Sequence, residues 1–312
     1  MIMHKVDQTL AIRALKSAAP YIRMYKGKTF VVKAGGGVFG DPEATRILIE
    51  QIAILHYFGV RVVMVHGGGP QLTEVSNALG LSTRMIEGRR VTDQQSIDVT
   101  AMVLNGLINT RILALCRDLN IDAVGVSGVD AGLVSAHKRP PVRVGSGSGE
   151  LVDFGFVGDI DRVDTSVLKK LLDNGLMPVI SPLSADSTGV LLNINADTVA
   201  AAIGAALDAE KLILCTGAPG ILERADDPGS LISYTDLRGL KRLREEQRIV
   251  EGMLPKAKAI EDAIRGGVRR VHVVSYKSPE GILGEVFTNE GTGTLVVADT
   301  NALTQAELAG TH

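Results

Sequence analysis

The chain has 312 residues, enough for one large α/β domain or two lobes. Hydrophobic residues make up 45% and charged residues 22%, and the net charge of −2 comes without a basic tract or an aromatic-rich RNA motif, which argues against a nucleic-acid partner. The two cysteines, Cys116 and Cys215, each lie inside an apolar run and read as buried free thiols of a reducing compartment, not as a disulfide or metal framework.

No 18-residue apolar span is expected, and Lys5, Asp7, Arg13 and Lys16 interrupt any signal core at the N-terminus. The expectation is a cytosolic protein without a membrane partner. Leu10–Met24 carries apolar residues at helical spacing and stands before the first strand, outside any βαβ unit. Thr29–Lys33 reads as a strand that runs into Ala34-Gly35-Gly36-Gly37, with a lysine at its tip. Asp41 is placed to cap a helix over Pro42–Tyr57.

Val60–Val65 is the next strand, ending in His66-Gly67-Gly68-Gly69-Pro70 before a helix over Gln71–Leu79. Glycines let a ligand approach backbone N–H groups closely, and a helix N-terminus adds partial positive charge. Two such turns suggest one site for a large anionic ligand; the plainer alternative is two ordinary βα turns. Neither turn is a P-loop or the dinucleotide G-x-G-x-x-G in its proper context. His66 abuts the second turn and reads first as a structural hydrogen-bonding residue.

Arg89 and Arg90 follow Gly88 in a loop, where a guanidinium can grip a carboxylate in bidentate fashion or simply be solvated. Asp93 can cap a long helix over Gln94–Leu119. A strand over Ala123–Val126 follows, and Pro140–Asp161, with its Gly145–Gly149 glycine-serine loop, reads as a β-hairpin suited to cover a site. A helix over Val163–Asn174 and a strand over Met177–Pro182 come next. The polar stretch Leu183–Gly189 is the one reasonable lobe boundary.

Asn193-Ile194-Asn195-Ala196-Asp197 puts three polar groups at the entry to a helix over Ala196–Leu207. Either asparagine could cap it, but three such groups exceed what capping needs. A strand over Lys211–Cys215, a helix near Leu240–Glu246, a helix over Met253–Gly266 and strands over Arg270–Val274 and Thr294–Val297 complete the reading. Lys256 follows Pro255 at a helix N-terminus, where a cation is disfavoured unless an anion compensates it. The alternation of strands and helices predicts an α/β fold with a mostly parallel sheet covered on both faces. No histidine has metal-ligand spacing and no G-x-S-x-G elbow occurs. Two lysines, two glycine turns, an arginine and an aspartate suggest phosphoryl transfer, which needs positioning and cationic stabilisation more than covalent help.

Six segments together carry a specific likeness: Val32–Gly36, Val65–Pro70, Gly88–Asp93, Phe154–Gly158, Asn193–Asp197 and Gly252–Lys256. In this order, over about Tyr21–Val297, the chain resembles the amino acid kinase family, and within it the branch that phosphorylates N-acetylglutamate. The resemblance implies a three-layer α/β/α sandwich in two lobes: an N-terminal oligomerisation helix (1–26), a substrate-binding lobe (27–184) and a nucleotide-binding lobe (185–312). It implies ATP with Mg²⁺ as donor and N-acetyl-L-glutamate as acceptor, in arginine biosynthesis. Lys33 and Lys256 would stabilise the transferred phosphoryl group, with Asp197 orienting both. Gly68, Gly69, Arg90, Asn193 and Asn195 would hold the substrate, under a hairpin formed by Asp153–Asp161. Gly35, Gly36, Thr216, Gly217, Gly252 and Met253 would hold the nucleotide. No protein metal site is implied.

The chain departs from the family's usual residues at Ala34, Arg89, Val129 and Gly217; the last removes a carboxylate near the nucleotide. Arginine-inhibited relatives carry an N-terminal helix and form a ring of three dimers, so the resemblance implies a hexamer and an L-arginine site framed by His272, Glu285, Gly291 and Gly293. The other expectation for that helix is packing on its own lobe. The alternatives are a kinase for N-acetylaminoadipate, one methylene longer, and a catalytically silent arginine-sensing module.

Overall fold

A computed structural model describes residues 8–86, 89–144, 149–224, 226–249, 251–288 and 291–302. Gly88, the Arg89 side chain and residues 145–148 of the glycine-serine loop lie outside the description, as do the side chain of Leu10 and residues 1–7 of the expected N-terminal unit.

In chain order come α1 (Gln8–Tyr25), β1 (Thr29–Ala34), α2 (Pro42–Tyr57), β2 (Arg61–His66), α3 (Gly69–Ala78) and the short hairpin β3 (Met85–Ile86) and β4 (Arg89–Arg90). Then come α4 (Gln94–Ala101) and α5 (Thr110–Asp118), joined by a π-helical segment Met102–Asn109. β5 (Ala123–Ser127), β6 (Val134–Lys138), β7 (Val142–Arg143), β8 (Leu151–Val152) and β9 (Gly158–Val163) follow. The second half holds α6 (Ser166–Asp173), β10 (Met177–Ser181), β11 (Leu183–Ala185), β12 (Leu191–Asn193), α7 (Ala196–Ala206) and β13 (Lys211–Thr216). It closes with β14 (Tyr234–Asp236), α8 (Leu237–Glu245), α9 (Leu254–Arg265), β15 (Arg270–Ser275), α10 (Gly281–Phe287) and β16 (Thr294–Val297).

Eight strands form the central sheet in the order β14-β16-β15-β13-β1-β2-β10-β5. All pairs are parallel except β15 with β16, so the two strands at one edge run against the other six. Alternation along β1 and β2 sorts side chains onto two faces. Val31, Val63 and Val65 enter one core with residues of α6, α7, α8 and α9. Phe30, Val32, Val62 and Met64 enter a second core with residues of α2, α5, α10 and the π-helical segment. Apolar strands buried on both faces are what parallel pairing requires.

Side-chain caps account for the starts of α2, α4 and α7. The Asp41 carboxylate accepts from the backbone N–H of Glu43 and Ala44, Asp93 accepts from Ser96, and Asn195 accepts from Asp197 and Thr198. A four-stranded sheet, β12-β11-β6-β9, contains the polar stretch at 183–189 within and beside its β11–β12 pair. The expected hairpin over Pro140–Asp161 is the end of a longer one, whose antiparallel arms β6 and β9 begin at Val134 and end at Val163. Val163 therefore belongs to a strand, and the following helix starts only at Ser166. β14 and α10 carry no alternation or periodicity strong enough to mark them in the sequence.

Against the expectation of no long apolar span, the continuous helical stretch Gln94–Asp118 is long and apolar enough to cross a membrane by length and composition. Its only ionisable residues before the last turns are Asp98 and Arg111, which leave a long uncharged middle. Here that middle covers the sheet: Val103, Leu104, Ile108, Ile112 and Cys116 are core residues.

Candidate active site

The site follows from which face each residue takes at the carboxyl edge of the sheet. Lys33 shares its parity with Val31, so it points toward the α7–α9 layer. His66 shares its parity with Met64 and points the opposite way. β1 and β13 are neighbours whose onward connections lead in opposite directions along the sheet, the arrangement that opens a crevice at the strand ends.

In that crevice Lys33 Nζ lies 2.8 Å from Asp197 Oδ1, and Lys256 Nζ lies 3.0 Å from Asp197 Oδ2. All three residues are buried. Asp197 comes from the first turn of α7 and Lys256 from the first turn of α9, where Pro255 suits the helix start. Burial alone would raise the Asp197 carboxyl, but Lys33 and Lys256 outweigh it and hold the group below the ordinary carboxylate range. Lys256 is pulled below the usual lysine range, first by burial and then by repulsion from Lys33. The two directions agree physically. One carboxylate cannot fully compensate two desolvated ammoniums, so the cluster carries a net positive charge that an anion would complete.

The two glycine turns touch. A Cβ on Gly36 would stand 2.8 Å from Gly68 Cα and 2.9 Å from Gly69 N, so only glycine permits this approach. Among the described residues no acceptor takes the backbone N–H of Gly36, Gly68 or Gly69. Gly35 lies under the Lys33 ammonium, 3.8 Å from where its own Cβ would be. Gln71, from the first turn of α3, donates to Gly36 O at 2.9 Å and ties the turns together. No sequence motif marked it.

Arg90 is half-buried, and its guanidinium donates to Thr73 Oγ1 at 2.7 Å, Thr83 Oγ1 at 2.8 Å and Gly69 O at 3.3 Å. Among the described residues no carboxylate pairs with it beside the second glycine turn. Asn193 ends β12, and its backbone N–H donates to Phe156 O at 2.8 Å, which joins it to the hairpin; Phe156 N–H and Thr92 O bond at 2.7 Å in turn. Asn195 serves as the cap of α7, with its Oδ1 committed to Asp197 N at 2.7 Å. Its visible work is thus to fix the turn that carries Asp197.

Thr216 and Gly217 leave β13 beside the Gly35–Gly37 turn, and Gly252 and Met253 lead into α9 ahead of Lys256. The candidate catalytic and nucleotide residues therefore meet at one edge. His272, Glu285, Gly291 and Gly293 gather elsewhere. Glu285 Oε1 pairs with His272 Nδ1 at 2.7 Å, while Oε2 accepts from Thr292 N at 2.6 Å and Gly293 N at 2.9 Å. His272 Nε2 faces Lys211 Nζ at 2.9 Å, and that ammonium sits 5.1 Å from the centre of the Tyr25 ring of α1. A guanidinium reaching Glu285 would share this carboxylate with the groups already on it.

His66 is fully buried, and its Nε2 lies 3.2 Å from Asn109 Nδ2 in the π-helical segment. Burial pushes its pKa down to about 4, so it is neutral at pH 7. Asn109 also donates to Val179 O at 2.9 Å. Asn109, one of two asparagines in a mostly apolar helical run, was the available signal for this pairing.

Among the described residues no cluster of three or more His, Cys, Asp or Glu side chains could hold a metal ion. The model of the amino acid kinase family matches residues 28–275. The chain is 48% identical over 289 residues to an acetylglutamate kinase of Myxococcus xanthus, spanning 92% of this chain and 94% of that one. It is 41% identical over 283 residues to an acetylglutamate kinase of Symbiobacterium thermophilum, spanning 91% and 96%. Among solved structures it is similar to the N-acetylglutamate synthase of Neisseria gonorrhoeae complexed with coenzyme A and N-acetyl-glutamate, with a TM-score of 0.79 and 26% identity. That match covers 93% of this chain and 64% of the synthase chain.

Proposed function

This chain belongs to the amino acid kinase family, and on that premise we propose that it transfers the γ-phosphoryl group of ATP to the γ-carboxylate of N-acetyl-L-glutamate, in arginine biosynthesis. The observation that carries the reading is the buried Lys33–Asp197–Lys256 cluster at the meeting of two glycine turns.

In this reading a carboxylate oxygen attacks the γ-phosphorus, the bond to the β-phosphate oxygen breaks, and ADP departs. Negative charge grows on the transferred group and on the leaving oxygen. Lys33 and Lys256 stand ready on the face where that charge gathers, and Asp197 fixes both without moving a proton. The N–H groups of Gly36, Gly68 and Gly69 supply further fixed donors. Arg90 grips the substrate α-carboxylate, Asn193 holds the acetyl side, and the hairpin ending at β9 covers it. Asn195 contributes by holding Asp197. Thr216, Gly217, Gly252 and Met253 line the nucleotide side, with residues 27–184 acting as substrate lobe and 185–312 as nucleotide lobe. Mg²⁺ would enter with the nucleotide and offset phosphate charge; among the described residues no three His, Cys, Asp or Glu side chains form a cage for it.

The same proposal assigns L-arginine to the site framed by His272, Glu285, Gly291 and Gly293 as an effector and the exposed face of α1 to a hexamer of three dimers, in a cytoplasmic enzyme. The retained Lys33, Lys256 and Asp197 speak against a silent sensing module. A coupled ADP-release assay on N-acetylglutamate, glutamate and N-acetylaminoadipate tests the central reading. Turnover with N-acetylglutamate well above the other two is expected. Preference for the longer substrate, or no turnover with any, would overturn it.

A further inference from the structure

Tyr276 follows β15 at the same edge of the sheet as the two nucleotide turns. Its backbone N–H donates to Thr216 O at 2.9 Å, which fixes where its side chain begins. The ring then reaches across to both turns. Its hydroxyl lies 2.9 Å from where a Cβ of Gly37 would stand and 3.3 Å from where a Cβ of Gly217 would stand. The phenol tip thus fills the space left by two absent side chains, one on each turn. Its ring packs partly against the core, while no described group bonds its hydroxyl.

Gly217 leaves the space that the phenol enters. A side chain there would press on the phenol, and a carboxylate there would repel a phosphate. With glycine there, a neutral hydroxyl fills the space instead. The first turn carries Lys33 at its start, with its ammonium over Gly35, and Tyr276 at its end, with its hydroxyl over Gly37. A polyphosphate lying along Gly35–Gly37 meets both.

Resting on the kinase reading above, we propose that Tyr276 is a nucleotide-binding residue, its hydroxyl donating a hydrogen bond to the polyphosphate of ATP where the Gly37 and Gly217 turns converge. The bond is charge-assisted, because the acceptor is a phosphate oxygen. It replaces no catalytic function of the lysines; it anchors the part of the nucleotide that does not transfer.

Tyr276→Phe removes the hydroxyl and keeps the ring packing. The dissociation constant of a non-hydrolysable ATP analogue, measured by calorimetry, should rise about tenfold, as should KM for ATP. KM for N-acetylglutamate and Tm should stay at the wild-type values. In a second variant, Gly37→Ala, the added methyl meets the hydroxyl at 2.9 Å and should weaken the analogue, while Tyr276→Phe/Gly37→Ala should be no weaker than Tyr276→Phe alone. An unchanged or tighter analogue affinity in Tyr276→Phe would overturn the inference. Wild-type protein that binds no adenine nucleotide would overturn the kinase reading and this inference with it.

Discussion

Lys33 and Asp197 lie 2.8 Å apart, one at the tip of a strand and the other in the first turn of a helix on the layer above it. Strand parity turns the lysine toward that layer, and the Asn195 cap fixes the turn that presents the carboxylate. The second lysine, Lys256, completes the cluster from another helix start. Removing either ammonium leaves one neutral pair, so the fold should tolerate Lys33→Met and Lys256→Met. Each should lower kcat about 10²–10³-fold. Asp197→Asn differs, because it leaves two buried ammoniums uncompensated and should also cost about 3–5 kcal/mol of stability. Stopped assays and thermal melts distinguish the two patterns, and near wild-type turnover in both lysine variants would contradict the mechanism.

Arg90→Ala should raise KM for N-acetylglutamate far more than KM for ATP. Among the described residues the guanidinium has only neutral oxygen partners, Thr73, Thr83 and Gly69, which leaves its charge for a substrate carboxylate. A charged hydrogen bond of this kind is worth about 1.5–3 kcal/mol. Equal changes in the two KM values would show that Arg90 shapes the site without touching the acceptor.

The rate should fall on the alkaline side before an ordinary lysine would titrate. Burial and then Lys33 lower the pKa of Lys256, so kcat/KM should start to fall as the pH rises, before it reaches about 10.4. Bound ATP supplies negative charge that favours the protonated amine, so the corresponding limb in kcat should lie at higher pH. Profiles of both parameters from pH 7 to 10.5 test this, and two flat profiles would remove Lys256 as the charged group.

Acid should destabilise the fold through two buried histidines. His66 and His272 are each depressed to about 4, by burial first and, for His272, by Lys211 as well. An unfolded histidine titrates near 6.5, so the unfolded chain binds more protons between pH 6.5 and 4 and stability falls as the pH drops through that window. Each contributes on the order of 3 kcal/mol across it. Glu285, depressed to about 2 despite its burial because His272 and two backbone N–H groups hold it, adds stability above about pH 4.5 that is lost toward pH 2. A Tm that does not change from pH 7 to 4.5 would show the histidines to be solvated.

Ile12 and Leu15 are exposed on α1, while Tyr21 and Tyr25 on the same helix pack against Phe287 and Phe30. The double change Ile12→Asp/Leu15→Asp therefore spares the inner contacts and should convert a hexamer to dimers. Arginine inhibition should be lost with basal kcat retained. If light scattering finds dimers in the unaltered protein, the oligomerisation role of α1 is wrong.

The sequence by itself determined the layers and most of the elements. Continuous apolar runs at Phe30–Val32 and Val62–Val65, ended by glycine turns and alternating with helices, read as parallel strands buried on both faces. Asp41, Asp93 and Asn195 stand where the helices begin, because a side-chain acceptor there satisfies donors that no helix can satisfy for itself. The lysines, the aspartate and the turns were visible as residue types that need an anion. Their convergence was not visible, because it depends on strand order: β13 returns beside β1 from far along the chain, and no local pattern encodes that neighbour. The same holds for Gln71 on Gly36, Asn109 on His66 and Tyr276 over two glycines. In each, an ordinary residue acquires its role from a close approach between distant segments, which only the packed structure decides.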